Sequence, residues 1–202
     1  ATLSDLTEIY AAEPKATIVA GSTDVGLWVT KQMRALNPVI FINNLGDLQT
    51  ITVGEDGITL GAGVTYSQAF KTIAEHFPPL ARLFDRLGGE QVRNMGTIGG
   101  NIANGSPIGD TPPALIALGA TLTLRSPSGN RSLPLESYFI DYGKQDRLSG
   151  EFVEKLFIPF QKPESHYAVY KISKRRDEDI SALCGAFHLT LDAEGVVEDN
   201  RI

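Results

Sequence analysis

Seven of the chain's twenty glycines fall between Gly88 and Gly109, and that crowding limits what the segment can become. Glycine loses more conformational freedom on folding than any other residue, so such a run needs a structural reason. Either the backbone turns where a side chain would be forbidden, or main chain lies directly against another surface. The remainder is ordinary for a soluble globular protein, with 42% hydrophobic and 21% charged residues. At 202 residues the chain is long enough for one or two domains with a real core. Its most apolar stretch, Ala114 to Leu124, falls far short of the roughly 18 apolar residues of a membrane span. No charged-then-apolar leader opens the chain, so a cytoplasmic protein is expected.

Charge and cysteine narrow the chemistry. A formal net charge of −6 argues against a general nucleic-acid binder, which shows a basic face. Lys171, Lys174, Arg175 and Arg176 are local exceptions, and Asp177, Glu178 and Asp179 neutralise them at once. The single cysteine, Cys184, makes no internal disulfide and holds no iron–sulfur cluster, which takes about four cysteines. His76, His166 and His188 are too few for a zinc site to be expected. Cys184 and His188 share a strand face, but two ligands do not make a site, and Cys184 is expected in the core. Any redox chemistry must come from a bound organic cofactor.

Hydrophobic spacing predicts an α+β chain. A helix over Ser4–Ala12 carries Leu6, Ile9 and Tyr10, with Ser4 as N-cap. Ala16–Ala20 and Val39–Ile42 read as parallel strands around a helix that starts at Ser22 and closes at Pro38. Val25, Trp28, Val29 and Met33 form that helix's apolar stripe. Ile51–Val53 and Gly57–Ala62 read as a hairpin. Helices are predicted over Tyr66–Glu75, Pro79–Leu87 and Asp110–Ala120, with Asp110 as N-cap. Strands are predicted at Thr121–Arg125, Phe152–Ile158, Tyr167–Ile172, Ala186–Leu191 and Val196–Glu198.

Two glycine-bearing loops are the chemical candidates. In Val19-Ala-Gly-Ser-Thr-Asp-Val-Gly26 a strand ends, glycine turns the backbone, and a helix opens with small polar residues. Its first amides lack intrahelical partners, which suits a phosphate or pyrophosphate. A plainly capped helix is the alternative, since neither G-x-G-x-x-G nor a Walker motif is present. The second loop runs from Gln91 through Gly99, Gly100 and Asn101 to Asp110. Its paired glycines allow close approach of main chain, and Thr97, Asn101 and Asp110 offer polar groups to a sugar or polyol. Two such loops in one small chain point to a nucleotide-like ligand. Ser106 is followed by proline, so it is not a nucleophile elbow.

The run Thr97-Ile-Gly-Gly-Asn-Ile-Ala-Asn-Gly-Ser-Pro-Ile-Gly-Asp110 resembles the FAD domain of the molybdenum hydroxylases. Ile18–Val25 is similar to the family's other flavin loop. Tyr170-Lys-Ile-Ser-Lys-Arg-Arg-Asp-Glu-Asp-Ile180 resembles a third segment, in wording closest to bacterial xanthine dehydrogenase FAD subunits. The resemblance implies a two-lobed, vanillyl-alcohol-oxidase-like FAD-binding fold. Residues 1–48 would be the β-α-β lobe, 49–160 the larger α+β lobe, and 161–202 the truncated start of a C-terminal lobe. It carries Ile18, Val19, Ala20, Gly21, Ser22, Thr23, Asp24 and Val25 into the FAD site, with Thr97, Ile98, Gly99, Gly100 and Asn101. Asp110 would accept from cofactor hydroxyls, and Val153 would lie near the isoalloxazine. Lys171 would sit at the ring's pyrimidine end, and Tyr142 on the nicotinamide side. Leu87 stands where relatives often place phenylalanine.

No catalytic acid or base is implied, and no metal site in this chain. The implied function is electron relay: FAD bound here, electrons from 2Fe-2S clusters, NAD⁺ as acceptor, and purine oxidation at a molybdopterin centre. The clusters and molybdopterin would belong to other segments or chains of a hetero-oligomer. The competing expectation is a non-redox nucleotide-binding module that uses the same loops. Oxygen as acceptor in place of NAD⁺ also stays open.

Overall fold

The computed structural model describes residues 1–202. Helix α1 (Leu3–Ala12) opens the chain. Its cap is Thr2, not Ser4: Thr2 Oγ1 accepts from Asp5 N at 3.2 Å, and Asp5 Oδ2 accepts from Thr2 N at 2.6 Å. This reciprocal pair satisfies two otherwise orphaned donors. Leu6 and Tyr10 are buried as expected, whereas Ile9 is half exposed, because one residue turns it about 100° off that face.

Strands β1 (Thr17–Val19) and β2 (Val39–Phe41) pair in parallel, with Thr17 opposite Val39. The helix between them, α2 (Val25–Thr30), is far shorter than its spacing predicts and buries no residue. Met33 lies beyond it in a left-handed conformation, φ 54°, so the four-residue stripe does not form. A short helix without a packed face has little to extend it, since tertiary burial supplies most helical stability.

After a 3-10 turn at Gly46–Gln49, strands β3 (Ile51–Val53) and β4 (Gly57–Gly61) make the expected hairpin. Helices α3 (Tyr66–His76) and α4 (Pro78–Phe84) follow. The glycine-rich segment is not the loop its composition predicts. It contains helices α5 (Glu90–Met95) and α6 (Ile98–Asn104), and α7 (Thr111–Ala117) comes next. Thr97 caps α6, its Oγ1 accepting from Gly100 N at 3.0 Å, and Ile98 and Ile102 are fully buried. Core burial overrides the poor helix propensity of paired glycines, which costs about 1 kcal/mol each.

The second half is mostly strand: β5 (Thr121–Ser126), β6 (Gly129–Pro134), a turn of helix α8 (Leu135–Tyr138), then β7 (Phe139–Asp141) and β8 (Lys144–Gln145). Strands β9 (Phe152–Pro159), β10 (Ser165–Ile172), β11 (Leu183–Leu191) and β12 (Val197–Arg201) complete it. Sequence patterning missed β6 through β8; in β6 only Leu133 is buried, so no alternation marks it.

Five antiparallel strands form the main sheet in the order β3-β4-β9-β5-β6. Ile58, Leu60, Leu122, Leu124, Leu156 and Ile158 join Ile73, Phe84, Ile98 and Leu115 in its core. Each such side chain contributes about 1.5–3 kcal/mol by leaving water. A second sheet, β10-β11-β12, packs against α4 through β10 and against α7 through β11. The small lobe has its own core of Leu6, Tyr10, Ala16, Ile42, Leu45 and Leu48, completed by Phe152 of β9. One strand thus serves both lobes. The architecture is the two-lobed α+β arrangement expected, and no helix is long and apolar enough to cross a membrane.

Candidate functional site

Gly21 lies where the two glycine segments touch. A Cβ there would collide with the Met95 carbonyl and lie 3.0 Å from Gly96 N, so no side chain fits. The β1–α2 loop and the α5–α6 junction therefore become adjoining walls of one cleft of about 820 Å³. That size suits a large organic ligand, since ligand sites run to roughly 1,000 Å³.

The first wall consists of Ile18, Ala20, Gly21, Ser22, Thr23, Asp24 and Val25. Val19 is not in it: strand alternation turns its side chain away, and it is buried. The amides of residues 21–25 find no acceptor in the protein. Ser22 holds φ at 60°, a strained choice for a residue with a side chain. Successive amides turned by a left-handed residue make an anion-binding concavity. With α2 only six residues long, the loop carries this property more than a helix dipole does.

The second wall works differently. Thr97, Gly99, Gly100 and Asn101 line the cleft, but Ile98 is wholly in the core. The α6 amides are already engaged. Ile98 N donates to Val64 O at 3.0 Å and Gly99 N to Ala62 O at 3.2 Å. Gly100 N bonds Thr97 Oγ1 and Asn101 N bonds Thr97 O, both at 3.0 Å. A Cβ on Gly99 would come 2.5 Å from Ala62 Cα, so this glycine serves helix–strand packing. What the wall offers a ligand is a side chain: Asn101 Oδ1 is buried and has no partner.

Asp110 stands at the N-cap position of α7, as expected, but its side chain makes no cap bond. Its carboxylate accepts from Lys171 Nζ at 2.6 Å and from Ser181 Oγ at 2.6 Å, with Asp110 and Lys171 side chains each only 4% exposed. Lys171 therefore lines the cleft as half of a buried ion pair, not as a bare cation. Leu87 and Val153 line the same cleft. Tyr142 does not: it is 84% exposed at the β7–β8 turn.

Cys184 packs half-buried against the core, as expected. Burial, aided by the Asp110 carboxylate, pushes its thiol up to about 12, so it stays protonated and unreactive near neutrality. Burial lowers the pKa of His188, and it belongs to no group of three ligating side chains.

Several cleft residues escaped sequence reading. Tyr66 shares a 2.8 Å hydrogen bond with Thr111 Oγ1, and burial pushes its phenol well above the usual range. Arg147 Nη1 donates to Tyr10 Oη at 2.7 Å and to Glu151 O at 3.0 Å. Trp28 forms part of the rim, with the Arg34 guanidinium 5.1 Å from its ring centre. Glu178 and Asp179 close one edge, where Arg175 N donates to Asp179 Oδ2 at 2.8 Å and holds that carboxyl below its usual range. No local motif marks Tyr66, Arg147 or Trp28, because distant segments bring them together; Glu178 and Asp179 lie within the third family segment.

Comparison with known proteins agrees with this geometry. The family described as the FAD binding domain in molybdopterin dehydrogenase matches residues 1–161. The chain belongs to that family. It is 32% identical over 197 residues to the xanthine dehydrogenase FAD-binding subunit of Escherichia coli O157:H7, covering 95% of this chain and 67% of that one. It is 33% identical over 192 residues to the nicotinate dehydrogenase FAD-subunit of Eubacterium barkeri, covering 93% and 64%. A carbon monoxide dehydrogenase structure from Hydrogenophaga pseudoflava superposes with a TM-score of 0.90 at 22% identity, covering 99% of this chain and 70% of that chain; this likeness shows the fold.

FAD supplies what the two walls lack. Its pyrophosphate matches the unpartnered amides of residues 21–25, and its hydroxyls match the orphaned Asn101 Oδ1. The residues present fit the cofactor.

Proposed function

We propose that this chain is the flavin module of a xanthine dehydrogenase-like molybdenum hydroxylase. One observation carries the reading: free loop amides and a buried, unpartnered amide oxygen line the same cleft. When bound, FAD supplies the relay, taking electrons from 2Fe-2S clusters and returning them as hydride to NAD⁺ while a purine is oxidised at a molybdopterin centre elsewhere.

The chain's own residues bind, orient and shield. Within the Ile18–Val25 loop the free amides of residues 21–25 hold the pyrophosphate, and Asn101 accepts from a ribityl hydroxyl. Asp110 uses two of a carboxylate's roughly four acceptor positions on Lys171 and Ser181; the others face cofactor hydroxyls. Leu87 and Val153 give the ring apolar walls that exclude water. Lys171 presents its ammonium with the Asp110 charge beside it, which moderates its pull on negative charge in the ring. Tyr142 would meet a nicotinamide approaching from the β7–β8 turn.

We further propose residues 1–48 and 49–160 as the two flavin lobes and 161–202 as belonging to a third, in a cytoplasmic hetero-oligomer. The lone cysteine supports placing the iron–sulfur clusters on another segment or chain. The Escherichia coli and Eubacterium barkeri relatives, similar in identity but named for different substrates, support a substrate site outside this module. The test is the absorption spectrum of the purified protein, followed by anaerobic NADH addition. Flavin bands that bleach with NADH are expected. A bound nucleotide without flavin absorption would overturn the cofactor assignment, and flavin that NADH leaves oxidised would overturn NAD⁺ as partner.

A further inference from the structure

Arg86 follows α4 and immediately precedes the cleft residue Leu87. Its guanidinium reaches across to β10: Nη1 donates to the Lys171 carbonyl at 2.6 Å, and Nη2 donates to Ser173 Oγ at 2.9 Å. Ser173 Oγ in turn donates to the Arg175 carbonyl at 2.6 Å. Both acceptors of the guanidinium are neutral, and its Nε is buried without a partner. Burying part of a charge without an ion-pair partner is costly, so these two charge-assisted bonds are what offsets it.

The fold shows what is held. Strand β10 is the edge of its sheet, so alternate carbonyls point away from β11 and lack ladder partners. Lys171 O is bonded by Arg86 in that position. Fixing this carbonyl fixes the peptide plane after Lys171 and thus the direction in which its side chain leaves the strand. Lys171 Nζ then meets Asp110 Oδ2 at 2.6 Å inside the cleft. Through Ser173, the same guanidinium also anchors the start of the charged segment that sets Glu178 and Asp179 at the cleft's edge.

We propose that Arg86 is a positioning residue for the flavin end of the cleft, fixing the strand end that presents Lys171 and, through Ser173, the segment behind it. Arginine is required because its planar fork serves two acceptors at once, which a lysine ammonium on a flexible stem does not reproduce. The inference rests on the flavin reading for its functional consequence and on the hydrogen bonds alone for its structural one.

Two measurements on the full chain test it: hydrogen exchange of the Ile172 and Arg175 amides without FAD, and FAD affinity by fluorescence titration. Ile172 faces β11, its carbonyl accepting from Ala182 N at 2.8 Å, and Arg175 N donates to Asp179 Oδ2 at 2.8 Å. In Arg86→Ala both amides exchange at least about tenfold faster and FAD binds about tenfold more weakly, the loss expected for one charge-assisted hydrogen bond. Arg86→Lys restores neither. Ser173→Ala quickens exchange at Arg175 and leaves Ile172 protected; it decides the question if Arg86→Ala does not fold. Wild-type exchange in Arg86→Ala, or full rescue by lysine, overturns the proposal. If the wild-type chain binds no FAD, the flavin reading fails, and the exchange experiment still decides the role of Arg86.

Discussion

The two glycine-bearing segments, residues 20–26 and 96–110, face one cleft but are built on opposite principles. The first buries almost nothing: α2 has no buried residue, Ser22 is strained, and the loop amides are unpartnered. The second is locked into the core through Ile98, Ile102 and Asp110, and its helix amides are spoken for. Similar composition thus yields a loop poised to bind and a helix that braces the adjoining wall. The difference teaches that a glycine cluster does not reveal which partner each glycine approaches, a ligand or the protein itself.

Substitutions can separate the two roles. Asp110→Ala should have the largest effect, about 3–5 kcal/mol of stability, because it strands Lys171 as an unpaired buried cation; urea unfolding measures it. Gly99→Ala should cost about 1–3 kcal/mol by overpacking against Ala62, seen as a lower Tm before FAD is added. Gly21→Ala should act on both. Its Cβ meets the Met95 carbonyl, a backbone atom that cannot swing aside, so the two walls part, the FAD-free Tm falls and FAD affinity drops by about tenfold or more. FAD affinity left unchanged in Gly21→Ala would break the contrast between the segments.

Asn101→Leu sharpens it further. Removing a buried acceptor without a partner should stabilise the FAD-free chain by about 1 kcal/mol and weaken FAD binding. The smallest effect is Gly26→Ala, where a Cβ meets nothing within 4 Å. It should leave FAD affinity unchanged in titration and raise stability by at most about 1 kcal/mol, since alanine favours helix.

Much of this protein was legible before folding. The parallel β1–β2 pair, the β3–β4 hairpin and the buried strands β5 and β9 follow from apolar runs and turn residues, which are local properties. The segment Thr97–Asp110 marked the family. Helix α6 was not legible, because its stability comes from burying Ile98 and Ile102 under a distant sheet. The long α2 was misread for the complementary reason: apolar spacing without a surface to cover does not sustain a helix.

By itself the sequence determined the residue types, the α+β class, the family resemblance and the identity of many residues that line the cleft. Tertiary structure alone decided what each can do there. It turned Val19 and Ile98 into core, left Tyr142 in solvent, and placed Lys171 in a 2.6 Å ion pair with Asp110, 61 positions away. It also gave Arg86, a residue no motif marks, two acceptors on β10. Local spacing sets which face of a helix or strand a side chain occupies. Which polar group finds a partner, and which stays free for a ligand, depends on contacts between segments far apart in the chain.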